Sequence, residues 1–246
     1  VAASGAGHDT ILMAGVAGWS SRDLFLAWRN ASPFGTRDPW FDKDVGFYVF
    51  DYPWWRFVLQ QGWWIVGVST LLVAVMHVLT GAAQSFTVTT TTHGQTIVSR
   101  RPARLSSGAQ AHLSVLAGLM LVLYAVSCYL DRYGYAMSNN WLFTGISYAD
   151  LHARVVARNV IAVIALVCAT LLFVNARVRR WVIPSMAIAL MLVSSLLVQG
   201  IYPAVVQRFD VQPKGPAKEH DYIAANIDAT RNAYGLTGVK VSEHYA

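Results

Sequence analysis

Four aspartates, Asp38, Asp42, Asp44 and Asp51, stand among aromatic rings in the stretch FGTRDPWFDKDVGFYVFDYPWWRF, residues 34–57. Carboxylates this close together could hold a divalent cation or share a proton, and Asp42 and Asp44 resemble the opening of a calcium loop. The regular ligand spacing that ends on a glutamate is absent, which argues against such a loop. Asp38 precedes Pro39 and has the character of a turn or N-cap residue. For Asp42 and Asp44 the simplest fates are pairing with Arg37, Lys43 or Arg56, or solvation. The rings carry the stronger signal. Residues 34–64 hold 12 of the 30 aromatic side chains, Trp40, Trp54 and Trp55 among them, and this is the pattern of a belt at a membrane–water interface. Phe41, Val45, Tyr48, Val49, Tyr52 and Trp55 together give one face of an interfacial helix or turn.

His77 is the next candidate, mid-way along the apolar run LLVAVMHVLTG. An ionisable group at membrane depth is a candidate proton relay, metal ligand or lipid contact. No second histidine follows at three or four residues, as a metal pair on one helix requires, and a neutral imidazole can hydrogen-bond a neighbouring helix. Packing is therefore the simpler role. Gln199 and Asn175 are polar groups near helix ends, and His112 and His152 lie near the ends of their spans. With Ser69, Thr70, Asn159 and Thr170, His77 and Gln199 are the only material for a polar path. No Ser-His-Asp set, phosphate-binding glycine loop, zinc spacing or haem motif occurs. The sequence thus assigns no catalytic residue, no metal ligand and no cofactor. Cys128 and Cys168 lie in apolar runs and read as small buried hydrophobes.

These residues must be positioned by membrane-spanning helices. Of the 246 residues, 55% are hydrophobic and 13% charged, about half the charged share of a soluble domain. Residues 62–82, 110–130, 159–176 and 181–204 each lack Asp, Glu, Lys and Arg and approach or exceed the roughly 20 residues that cross a bilayer. Asp131-Arg132 ends a span, and no charge is left inside one. Residues 9–28 read as the later part of a further, partial span, the alternative being an amphipathic helix lying on the surface. The fold class is an all-α integral membrane bundle.

Direction follows from the basic residues. Arg100, Arg101 and Arg104 lie in the loop 83–107, and Arg177, Arg179 and Arg180 in the loop 175–180. Together these six equal the whole net charge of +6. Both loops are therefore expected on the cytoplasmic side of the plasma membrane, with residues 31–55, 131–154 and the tail from 205 onward outside. The basic residues lack the aromatic interleaving of a nucleic-acid surface, so no nucleic acid is expected as partner. Threonines and valines around His93-Gly94 suggest a small hairpin, with a solvated loop as the alternative. Residues 218–234 suit a water-facing helix carrying Ile223, Ile227 and Tyr234 along one stripe. Gly235 suits the left-handed position that ends such a helix. The stripe calls for a partner, which residues 205–246, read as the start of an outer domain, are too short to supply.

Several stretches taken together, FGTRDPWFDKDVGFYVF, YLDRYGY, FTGISYAD and KEHDYIAANIDATRNAYGL, resemble the uncharacterised protein family 0182 of bacterial multi-pass membrane proteins. The resemblance runs in order along nearly the whole chain. It implies about seven N-terminal helices followed by a large extracytoplasmic domain, so that this chain would lack the first helices and most of that domain. It implies no activity and no catalytic residue. The expected role is a membrane anchor or scaffold that holds an outer domain and binds lipids and membrane or extracytoplasmic proteins. The alternatives are a transporter or channel with a polar path near His77, and a membrane enzyme whose chemistry lies in the outer domain.

Overall fold

The computed structural model describes residues 21–84, 86–90, 96–100, 107–139, 144–206, 208–209 and 215–239. The start of the partial span at 9–28, the turn at His93-Gly94, and Arg101 and Arg104 fall outside these. The chain divides into two compact units, Val1–Gln60 and Gln61–Ala246, and each is described by itself.

In the first unit residues 21–29 are helical (α1). A loop follows, in which Arg37 and Asp44 form an isolated antiparallel bridge. Helix begins with a π-type turn at Phe47–Asp51 and continues as α2, Tyr52–Gln84. Of the residues expected on one interfacial face, Val45, Tyr48, Val49, Tyr52 and Trp55 are helical, whereas Phe41 belongs to the preceding loop.

Beyond α2, strands β1 (Phe86–Thr90) and β2 (Thr96–Arg100) form the expected antiparallel hairpin, with Thr90 opposite Thr96 and Phe86 opposite Arg100. Helix α3 (Ser107–Gly134) follows. A π-type turn at Asp150–Arg154 then leads into α4 (Val155–Val178). Helix α5 (Val182–Ser194), a third π-type stretch at Ser195–Ile201 and the short α6 (Tyr202–Val206) form one continuous rod, and α7 (Gly215–Ala233) is the last helix of the described residues.

Among the described residues four helices are long and apolar enough to cross a membrane: Phe47–Thr80, Gly108–Met137, Asp150–Val178 and Val182–Val206. The bundle is helical, as composition indicates, but three of its spans reach further than charge-free runs suggest. A helix continues wherever its backbone is satisfied, so these helices run past the charges that bound each apolar run. Asp131, Arg132, Asp150, Arg154 and Arg158 accordingly lie within the long helices.

Small residues set the packing. On α4 and its entry turn Ala153, Ala157, Ile161, Ala165 and Ala169 recur every four residues and are buried. The four alanines are small residues of the kind that let apolar helices approach closely, with Ile161 filling the centre of the row. On α3 the matching position is Gly118, where an added Cβ would lie 2.7 Å from the Phe173 ring of α4. Cys168, Leu172 and Ala187 form the buried centre between α4 and α5, and both cysteines are buried free thiols. At the hairpin end of the bundle Asn175 is fully buried. Its amide donates to Ser114 Oγ on α3 at 2.9 Å, and its carbonyl accepts the Arg180 N–H at 2.9 Å. Arg179, at φ 57°, turns the chain into α5. By contrast α2 leaves Trp64, Ile65, Leu71, Leu72, Val78 and Leu79 exposed, a surface suited to hydrocarbon or to further helices.

Candidate functional site

The aspartates of the first unit build a loop. Asp38 accepts the Phe41 N–H at 2.7 Å and the Tyr48 hydroxyl at 3.2 Å, which fits a turn residue. Asp42 pairs with Arg37 at 2.9 Å, both side chains well exposed. Asp44 does something the sequence did not suggest. Its carboxylate accepts backbone N–H groups from Phe34 at 2.9 Å, Gly35 at 2.9 Å and Gly46 at 2.7 Å. These bonds, that from Phe34 foremost and then that from Gly46, hold its pKa below the ordinary carboxylate value. Asp51 accepts the Trp28 indole N–H at 3.1 Å. Trp28 stacks on Trp54, which stacks in turn on Phe57. Trp55 meets the edge of Trp28, and Trp40 is half-buried. Among the described residues no group of three or more His, Cys, Asp or Glu is placed to hold a metal ion.

His77 and Gln199 are not brought together. The ring of His77 lies 6.0 Å from that of His112 on α3, in the last turns of α2 and not mid-way along it. Gln199 donates to the Tyr124 hydroxyl at 2.9 Å. Positions 112 and 124 are separated along α3 by about 18 Å at 1.5 Å per residue. Thr70 and Thr170 return their hydroxyls to carbonyls of their own helices, Val66 at 2.7 Å and Leu166 at 2.9 Å.

The dense chemistry lies at the opposite end of the bundle from the hairpin, where α3 ends, α4 begins and the tail departs. Ser147 and Asp150 form a capping box. Ser147 Oγ accepts the Asp150 N–H at 3.2 Å, while Asp150 accepts the Ser147 N–H at 3.1 Å and its hydroxyl at 2.8 Å. The Asp150 side chain is 0% exposed and is held by Arg154 at 2.6 Å. One turn on, Arg158 pairs with Asp131 of α3 at 3.3 Å. Arg154, Arg158, Tyr135, Ala157, Gln199 and Pro203 line a cleft of about 130 Å³. Both of its walls include π-type turns, at Asp150–Arg154 and Ser195–Ile201, a distortion that recurs at functional sites.

Helix α7 seats on the same end. Glu219 accepts the Tyr148 N–H at 3.1 Å, and Lys218 donates to the Tyr148 hydroxyl at 3.3 Å and sits over its ring. Tyr222 is buried edge-on against Tyr148, and Asn226 donates to the Thr144 carbonyl. Tyr148 also stacks on His152, with ring centroids 4.1 Å apart. Burial first, then the charge of Glu219, pushes the Tyr222 phenol up to about 12, so it stays neutral. Burial raises the Glu219 carboxyl above its ordinary range, with the Tyr148 N–H opposing. Gly235, at φ 66°, ends the helix as the sequence indicated. The Leu236 N–H reaches Arg231 O at 2.7 Å and the Gly235 N–H reaches Asn232 O at 3.1 Å, the paired bonds of a Schellman turn.

The contact face of α7 is therefore Lys218, Glu219, Tyr222 and Asn226. The apolar stripe named from sequence stands largely apart: Ile223 is half-buried, while Ile227 is 51% and Tyr234 76% exposed. The sequence reading missed Tyr222, Glu219 and Asp150. A signal for Asp150 was present, since Ser147-Tyr148-Ala149-Asp150 before an apolar run has the capping-box spacing.

A helical bundle with several span-length rods and a polar, tail-bearing end defines a multi-helix protein of the membrane-spanning type. Residues 9–246 match the uncharacterised protein family UPF0182, and the chain belongs to that family. It is 39% identical over 240 residues to a UPF0182 protein of Streptomyces coelicolor, covering 95% of this chain and 22% of that one. With a UPF0182 protein of Nocardioides it shares 38% identity over 220 residues, 89% of this chain and 21% of the other. A UPF0182 protein of Rhodococcus erythropolis is 39% identical over 225 residues, 90% and 21% of the respective chains. The chain thus spans about a fifth of the length of these curated relatives. No solved structure matches it.

Proposed function

We propose that this chain is a multi-pass anchor of the plasma membrane, whose bundle fixes the position of an extracytoplasmic segment and of the proteins that segment engages. The observation that carries this reading is the seat of α7. A helix outside the spans is held to the bundle by a buried tyrosine, a carboxylate on a backbone N–H and an amide on a carbonyl. Its other face presents Ile227 and Tyr234, suited to an extracytoplasmic protein partner. Orientation rests on the arginines of loops 83–107 and 175–180, placed on the cytoplasmic side by the positive-inside rule. The dispersal of the polar groups supports an anchor over a path: His77 and Gln199 stand at separate levels, and Thr70 and Thr170 are bonded within their own helices.

The test pairs two readouts. Ile227→Asp with Tyr234→Asp should strip co-purifying extracytoplasmic protein from the chain while the spans still insert. Reconstituted vesicles should pass no ions or small solutes. Solute flux that is lost on Gln199→Leu, alongside undiminished co-purification in the double variant, would replace the anchor with a transporter.

A further inference from the structure

The cleft between Arg154, Arg158, Tyr135 and Gln199 is not used by the seat of α7, and its depth says what it suits. The span Asp150–Val178 has 29 residues, about 43 Å at 1.5 Å per residue. That equals a whole bilayer with headgroups, about 40–45 Å, of which the hydrocarbon takes about 30 Å. For a helix near the membrane normal, Arg154 then lies about 6 Å and Arg158 about 12 Å below the end of the span. The first is at headgroup level and the second at the upper edge of the hydrocarbon, where long cationic side chains reach toward phosphate.

Charge is balanced in number, two arginines against Asp150 and Asp131, but not in exposure. The Asp150 side chain is 0% exposed and that of Arg154 50%; for the second pair the values are 22% for Asp131 and 29% for Arg158. Asp150 is turned inward to the capping box, so Arg154 dominates the polar surface that its pair presents. Each guanidinium has five N–H donors in a planar fork, and the ion pairs named above engage Nη1 in both. Tyr135 lines the cleft with Arg158. Ala157 and Pro203 supply an apolar wall. The 130 Å³ of space is many times the roughly 10–15 Å³ that one water needs, enough for a tetrahedral oxyanion. We infer that this cleft binds the phosphate of a membrane phospholipid headgroup, with Arg154 and Arg158 as its donors and the acyl chains running down the apolar surface below.

The chain, purified in an uncharged detergent, would be titrated with phosphatidylglycerol, with diacylglycerol lacking a phosphate, and with inorganic phosphate, each read by native mass spectrometry. The expected result is one phosphatidylglycerol retained per chain and no diacylglycerol. Arg154→Lys with Arg158→Lys keeps both charges but loses the two-donor fork. It should lower retention at least tenfold with unchanged helical circular dichroism, whereas Arg177→Lys with Arg180→Lys at the hairpin end should not. If the first pair fails to fold, Gln199→Leu touches neither ion pair and should lower retention in the same direction. Equal retention in wild type and the folded cleft variant, or equal retention of diacylglycerol, would overturn the site. Displacement of the lipid by inorganic phosphate at stoichiometric concentration would overturn the lipid as ligand.

Discussion

Asp42 and Asp44 are two residues apart and look alike in sequence, yet they differ in kind. Asp42 meets Arg37 in water, where such pairs contribute little. Asp44 gathers three backbone amides. Asp42→Asn should therefore leave the loop unchanged, while Asp44→Asn should speed hydrogen exchange at Phe34, Gly35 and Gly46. Because the pKa of Asp44 is lowered from 3.8, its contribution is present above that value and is lost as pH falls through the folded pKa. The turn role of Asp38 was legible from residue type and spacing. The amides of Asp44 were not, because backbone donors carry no side-chain signature. Glu219 has the opposite sign. Its pKa is raised from 4.5 by burial, so its folded form takes a proton more readily. The seat of α7 should be firmest below pH 4.5, weaken as pH rises through the raised pKa, and then level off. Thermal melting of wild type against Glu219→Gln across mildly acidic pH should show that component flattened in the variant.

At the scale of elements, the contact between α3 and α4 hinges on one missing side chain. An added Cβ at Gly118 would stand 2.7 Å from Phe173, so Gly118→Ala must displace that ring, which lies at the rim of the α3–α4 contact and is 37% exposed. Overpacking of this kind costs about 1–3 kcal/mol, to be read as a lower unfolding midpoint in detergent. Phe173→Leu should recover part of the loss in the double variant, and a purely additive result would place the strain elsewhere. The spans themselves were legible from apolar runs, since burial and lipid exposure both demand them. Their ends were not. Asp150, Arg154 and Arg158 reach into the helix because capping and pairing satisfy them, and a charge count along the chain does not see partners 27 residues away.

At the scale of the whole molecule, the same limit explains α7. Its helical spacing, its Gly235 stop and an apolar stripe at Ile223, Ile227 and Tyr234 were legible, but the second face that seats on the bundle, Glu219, Tyr222 and Asn226, was not. A docking face made of one tyrosine and polar groups looks like a solvated face until Tyr148 and Thr144 are beside it. Orientation can be checked independently. In intact cells an impermeant thiol reagent should label Met137→Cys and spare Val178→Cys, because Cys128 and Cys168 are buried; the reverse pattern would invert the topology. The central claim, that the bundle holds the segment beyond its last span, is tested most directly by hydrogen–deuterium exchange over residues 215–233. An unsupported helix of this length is marginal in water. Slow exchange is expected across α7 in the wild type, fast exchange throughout it in Tyr222→Ala, and no change in Ile227→Ala. Exchange in the wild type as fast as in Tyr222→Ala would contradict it.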